Sequence, residues 1–238
     1  MDWLNITALL LFIIVNIAAY TVGKMSEAMS EKLVRALSLI LLCGNLLRYI
    51  VIYPLFYHVI KIPAEFSTLA YFIVPLILLS RWERINCWAA YSSLMAGFFY
   101  YMTMIVAGET IYGASSRTDT AISLLCHGTL YFCGFVTITK KQYDPRDVWK
   151  LLVGIGYVII RAKMLRPIVA NGNGMLIYLL LDAVPIKRFL PEETWKAVIP
   201  IYYSAVLLFL LVTVLCFFHI SERQYKKFSD LRNSEKKA

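Results

Sequence analysis

The sequence predicts an all-α membrane protein, a bundle of about seven transmembrane helices with a short re-entrant or interfacial segment between the sixth and the seventh. Three observations predict it. Of the 238 residues, 60% are hydrophobic and 16% charged, more apolar surface than a soluble domain of this size can hide. The apolar residues gather in separate stretches of about 20, the length a helix needs to cross a hydrocarbon layer roughly 30 Å thick. The basic residues concentrate in every other connection between those stretches. Unsatisfied backbone groups are intolerable in lipid, so such stretches are helices or barrel strands, and runs this continuous lack the alternation of a barrel strand.

The first span covers residues 3–23. Its start, Met1-Asp2-Trp3, has neither the positive region nor the small-residue cleavage site of a signal peptide, so the run is expected to stay as a span. Lys24, Lys32 and Arg35 precede the second span, 36–60, and Lys61 alone separates it from the third, 63–80. Arg81 and Arg84 lead into the fourth, 88–107. Arg117 is the one basic residue before the fifth, 120–139, whereas Lys140, Lys141 and Arg146 precede the sixth, 151–170. Residues 174–184 are apolar but about half the length of a span, bracketed by Asn171-Gly172-Asn173-Gly174 and Pro185, which fits a re-entrant or interfacial segment. The seventh span is 197–220, followed by Arg223, Lys226, Lys227, Arg232, Lys236 and Lys237.

This alternation places the N-terminus outside and the C-terminus in the cytoplasm, and the expected location is the plasma membrane. Residues 1–220 then form one transmembrane domain and residues 221–238 a basic cytoplasmic tail. Holding the inward topology is the commoner reason for such a tail; docking a partner or anionic lipid is the alternative. The formal charge of +9 reports topology and not nucleic-acid binding, because no soluble domain exists to carry a basic surface. Cys43, Cys87, Cys126, Cys133 and Cys216 include no C-x-x-C pair and no His-rich partner. They read as buried thiols, so neither a metal nor another cofactor is expected.

Ionisable groups inside spans are costly and turn toward the bundle interior, which makes each a candidate for function. Arg48 falls near mid-depth or in the outer half of the second span, with Asn45 one turn earlier on the same face. Its expected partner is a carboxylate such as Glu65 or a ligand anion. Glu65 follows Pro63 at a helix start, where it complements the dipole or belongs to a site. His127 lies in the fifth span and must find partners for both ring nitrogens. Arg161, Lys163 and Arg166 crowd the outer half of the sixth, Arg161 pointing away from the other two. Nearly all of these belong to the outer leaflet, and a polar cavity opening outward is the simplest arrangement.

Ile62-Pro63-Ala64-Glu65-Phe66-Ser67-Thr68-Leu69-Ala70-Tyr71-Phe72-Ile73-Val74-Pro75-Leu76, followed by Ala96-Gly97 and Cys126-His127-Gly128, resembles the YwaF-type integral membrane family. That family includes eukaryotic transmembrane acyltransferases acting on ether phospholipids. The resemblance spans about residues 30–180, including the Asn171 to Gly174 turn, and rests on short motifs. It implies a catalytic cysteine in the third span paired with a histidine in the fifth. Here the cysteine position falls on Ser67, the histidine before it on Glu65, and the span-five histidine on His127.

A serine hydroxyl needs an adjacent base and an oxyanion stabiliser. Ser67 with His127 as base, the imidazole oriented by Glu65, is the acyl-transfer arrangement the resemblance implies. Residues 65 and 67 point to nearly opposite sides of a regular helix, so the three meet only if the helix begins after Glu65. The competing reading is a relative that kept the fold and lost the nucleophile.

Two functions therefore stand as expectations. One is a membrane enzyme whose outward cavity holds a phospholipid, with Arg48, Asn45, Arg161 and Asn173 as ligand-binding residues. The other is a non-catalytic binding or transport module for a small anionic or zwitterionic ligand. Membrane lipids are the expected partners in either case, and the oligomeric state is not legible.

Overall fold

The computed structural model describes residues 3–58, 60–63, 65–112, 116–165, 187 and 190–235. Among them helix is the sole regular secondary structure, and the long helices run alternately up and down. They are α1 (Trp3–Lys24), α2 (Glu27–Leu47), α3 (Tyr53–Phe56), α4 (Phe66–Ser80), α5 (Asn86–Tyr112), α6 (Arg117–Lys140), α7 (Val148–Leu165) and α8 (Glu192–Glu235). A π-helical turn, Arg48–Ile52, joins α2 to α3 so that Glu27 to Phe56 is one continuous rod. Pro54 explains the widened turn: its ring crowds the carbonyl four residues back, and the wide turn instead closes from Tyr53 N–H to the Arg48 carbonyl.

Five of these rods are long and apolar enough to cross a membrane: α1, the α2–α3 rod, α5, α6 and α8. The expected third span is α4, which starts at Phe66 and has 15 residues, about 22 Å at 1.5 Å per residue. The expected sixth is α7, whose 18 residues include Lys150, Arg161 and Lys163. The helices also outrun the apolar windows read from sequence. α2 begins at Glu27, capped by the Ser26 hydroxyl accepting from Met29 N–H, so Lys32 and Arg35 lie on a helix and not in a loop. Charge marks where a helix leaves lipid, not where it ends. The seventh span likewise continues without a break past residue 220, and residues 221–235 of the basic tail form the last third of α8. The segment 174–184 lies outside the described residues.

Burial separates two layers. Within their most apolar windows 56% of α5 and of α6 is buried, against 22% of α1 and 17% of the α2–α3 rod and of α8. α5 and α6 are therefore the central pair. α1 packs on both, α2 lies against α4 and α6, α4 packs on α5, α7 on α5 and α8 on α6. The outer faces remain apolar, as with Leu10, Ile13, Ile14 and Ile17 on α1 or Leu207, Leu208, Leu211 and Leu215 on α8. Surfaces of that extent are solvated by hydrocarbon, not water.

The central pair is tight because its contact stripe is small. On α5, Ala89, Ser93 and Gly97 recur every fourth residue, the spacing that lets membrane helices approach closely. A Cβ at Gly97 would lie 2.4 Å from the Cβ of Tyr131 and 2.7 Å from the His127 carbonyl oxygen. One turn along, the Tyr101 hydroxyl fills the space beside Gly128 and donates to the Leu124 carbonyl at 3.0 Å.

At the end of the bundle bearing Lys24 and Lys140, the tail of α8 is docked. The Phe228 ring is fully buried over Gly23, with Tyr20 and Phe135 beside it at 5.2 and 6.1 Å between centroids. Arg232 donates to the carbonyls of Gly23 at 3.2 Å and Thr139 at 3.1 Å, while Lys140 donates to those of Gly23 and Met25 at 2.9 and 2.6 Å. These carbonyls end helices, where cations satisfy orphan acceptors and complement the dipole.

Candidate functional site

At the opposite end, α2, α4, α5 and α6 bring polar side chains together. Arg48, its side chain 11% exposed, donates to Asp119 at 2.6 Å and lies over the Tyr53 ring, 5.1 Å from its centroid. Its partner is thus Asp119 and not the expected Glu65. The signal was local: Ser116 and Asp119 form the opening of α6, with the serine hydroxyl accepting from Asp119 N–H at 3.1 Å. This cap turns the carboxylate back toward Arg48. Asn45, one turn before Arg48, is buried; its amide donates to the Leu41 carbonyl at 2.8 Å and approaches the Cys126 sulfur at 3.6 Å.

His127 is buried one residue beyond Cys126. Its Nδ1 lies 2.8 Å from the Ser123 carbonyl oxygen, which can only accept, so Nδ1 carries the proton. The Tyr71 hydroxyl lies 2.7 Å from Nδ1 and 3.2 Å from Nε2; with Nδ1 protonated, it is Nε2 to which the phenol can donate. The Tyr100 ring stacks on the imidazole at 3.6 Å with the planes 4° apart. His127 is thus engaged on both nitrogens and one face.

Ser67 makes no hydrogen bond to His127. It sits one turn before Tyr71 on the same face of α4, and the hydroxyl that reaches the imidazole is that of Tyr71. Glu65 does precede the first helical residue, as the sequence condition required, and serves as the N-cap position of α4, its carbonyl accepting from Leu69 N–H at 2.9 Å and from the Thr68 hydroxyl at 3.0 Å. Arg161 donates to the Pro63 carbonyl, tying α7 to the start of α4. Of the residues read from sequence, the structure brings Asn45 close to Cys126, beside His127, with Arg48 one turn further along the same rod, in the π-helical turn. Arg161 instead binds the Pro63 carbonyl, and Asn173 and Arg166 lie outside the described residues. All five cysteines are free thiols, but Cys87 and Cys133 alone are buried, Cys126 is half-buried, and Cys43 and Cys216, expected inside, are exposed on the outer helix faces; no cluster of three metal-ligating side chains occurs among the described residues.

Sequence reasoning missed Tyr71 and Asp119. A buried phenol needs a hydrogen-bond partner, so a lone tyrosine in the apolar run of α4 was the available sign for the first.

The hollows lie on another face. Between α4 and α7, floored by Trp88 and Ser92 of α5, runs a lateral groove of about 320 Å³. Its walls include Phe66, Ile73 and Ile77 of α4 and Val153 and Tyr157 of α7, and Lys150 is the charged side chain among them. A second hollow of about 330 Å³, bounded by Leu76, Ser80 and Trp82, shares Ile73, Ile77 and Ile85 with the first. Gly154 lets α7 approach the Trp88 ring, which a Cβ there would meet at 2.4 Å.

The fold and its apolar exterior define the class: a multi-span, all-α membrane protein. No protein-family model, curated protein or solved structure matches the chain.

Proposed function

We propose that this protein is a lipid-holding membrane protein that seats an acyl chain in the lateral groove between α4 and α7. In this reading it lies in the plasma membrane with its N-terminus outside and its basic end in the cytoplasm, as the alternation of basic connections supports. The observation that carries the proposal is the character of the groove. It is concave, lined almost wholly by aliphatic and aromatic side chains, and opens sideways between helices whose outer faces are themselves apolar. Pre-formed apolar clefts of this volume bind ligands of matching polarity, and in a bilayer the matching ligand is an acyl chain.

The polar residues at the other end then act as fasteners. The Arg48–Asp119 pair and the Tyr71–His127–Ser123 chain connect helices, and a polar side chain at membrane depth that has found a partner holds helices in register. The resemblance to the YwaF-type family enters as kinship of scaffold: Ser67 stands where a nucleophile is implied, which suits a relative that binds lipid without acyl transfer. Reading Arg48 as a receptor for a small anion has less support, because its side chain is 11% exposed and its pair with Asp119 joins two helices, unlike the i,i+3 pair of the more exposed Lys150 with Asp147.

The test is lipid retention. The purified protein is expected to carry phospholipid through detergent extraction, read by native mass spectrometry, and Val153→Trp, at an exposed rim position of the groove, is expected to lose it with an unchanged melting temperature. Retention equal to that of the unaltered protein in both Val153→Trp and Ile73→Trp would remove the groove from the proposal. Acyl-chain release that depends on Ser67 and His127 would overturn the non-catalytic reading.

A further inference from the structure

Building on the groove as a lipid seat, we infer that it selects an anionic phospholipid of the leaflet at the basic end, with the phosphate against Lys150 and a chain along α4. The two hollows form one slot through their shared Ile73, Ile77 and Ile85. Its wall on α4 runs from Phe66 to Ser80, about 21 Å of helix, more than the half-thickness of a hydrocarbon core about 30 Å deep. A chain of one leaflet therefore fits lengthwise, entering from the end where Ser80, Trp82 and Lys150 lie.

That end has the composition of a headgroup layer. Trp82 and Trp149 are each 58% exposed, as interfacial aromatics are. Lys150 stands in the groove wall, so its stem lies against apolar surface and its ammonium reaches the rim. Residues 81–86 and 141–150, the two connections framing the mouth, hold five basic residues against three acidic. Lys150 pairs with Asp147 at 2.8 Å and Lys141 with Glu83, while Arg84 and Arg146 form no ion pair among the described residues. Burial, and next the charge of Lys150, hold the Lys141 ammonium below the ordinary lysine range in spite of Asp147. Cations crowded this way gain from a phosphodiester, and a zwitterionic headgroup, bringing its own cation, relieves them less.

The experiment compares phosphatidylglycerol with phosphatidylcholine of identical chains, offered to the purified full-length protein and counted by native mass spectrometry. The unaltered protein is expected to retain phosphatidylglycerol about fivefold better, the scale of one lysine at an anionic surface. Lys150→Gln is expected to abolish the preference by lowering phosphatidylglycerol retention to that of phosphatidylcholine. Lys226→Gln, an exposed cation on the tail of α8, is expected to keep the preference. A preference that survives Lys150→Gln, or that falls equally in Lys226→Gln, overturns the headgroup assignment. Loss of both lipids in Val153→Trp with no preference in the unaltered protein refutes the assignment alone, whereas full retention of both in Val153→Trp refutes the groove itself.

Discussion

Replacing Gly97 by alanine adds one methyl group at the closest approach of α5 and α6, and the structure gives opposite signs for this change at two glycines. The new carbon would lie 2.4 Å from Tyr131 Cβ, 2.7 Å from the His127 carbonyl oxygen and 2.9 Å from Tyr131 Cα. Carbon atoms pack at about 3.5–4.0 Å, so the gap must open by more than ~1 Å, and none of the three atoms is the end of a flexible side chain that can swing aside. Overpacking of this kind costs about 1–3 kcal/mol. A shift that also breaks the bond from Tyr101 to the Leu124 carbonyl adds about 1 kcal/mol, and the expected loss is about 2–4 kcal/mol. Gly44, by contrast, sits in α2 with nothing within 4 Å of a Cβ, so Gly44→Ala is expected to stabilise by about 0.5–1 kcal/mol through helix propensity. Reversible unfolding in mixed micelles, titrated with a denaturing detergent, measures both. If Gly97→Ala costs less than about 0.5 kcal/mol, or if Gly44→Ala is as harmful, close approach is not what sets the α5–α6 distance.

Other expectations concern the fasteners and the tail. Phe228→Ala empties a fully buried ring site over Gly23 and is expected to cost about 3–5 kcal/mol, with protease sensitivity appearing first in the far half of α8. Arg48→Met leaves Asp119 without its partner and is expected to destabilise by about 1–3 kcal/mol. Asp119→Asn leaves the Arg48 guanidinium, its side chain 11% exposed, without a counter-charge but with an amide oxygen that can still accept, and a double-mutant cycle reports the coupling. Tyr71→Phe removes the donor to His127 and is expected to cost about 1–3 kcal/mol with no change in lipid retention. Ser67→Ala is expected to fall within about 0.5 kcal/mol of the unaltered protein in stability; a larger change would show that the hydroxyl holds a contact of its own.

Much of the architecture was legible because hydropathy is additive along a chain. The helical membrane class, the number of long helices among the described residues and the alternation of basic connections follow from residues taken a span at a time. Helix ends were less legible. Ser26 and Ser116 cap helices that begin in charged sequence, and residues 221–235 continue a helix that hydropathy alone would stop at the lipid boundary. At the polar end, Arg48, Asn45 and His127 stood out as costly residues in apolar runs, yet their partners did not. Tyr71 and Asp119 are unremarkable in sequence, one an aromatic among aliphatics and the other an acidic residue in a first helical turn.

The sequence by itself determined that this chain must bury its backbone hydrogen bonds in helices within lipid and which side chains would need partners there, since both follow from the energy of polar groups in hydrocarbon. Only the tertiary structure decided who the partners are. It joined Arg48 to Asp119 across 71 positions and His127 to Tyr71 across 56, and it opened a hollow between α4 and α7. Pairing and cavities depend on how helices rotate and approach one another. That is set by the small-residue stripe on α5 meeting Tyr131 and Gly128, a contact between surfaces that no local stretch of sequence contains.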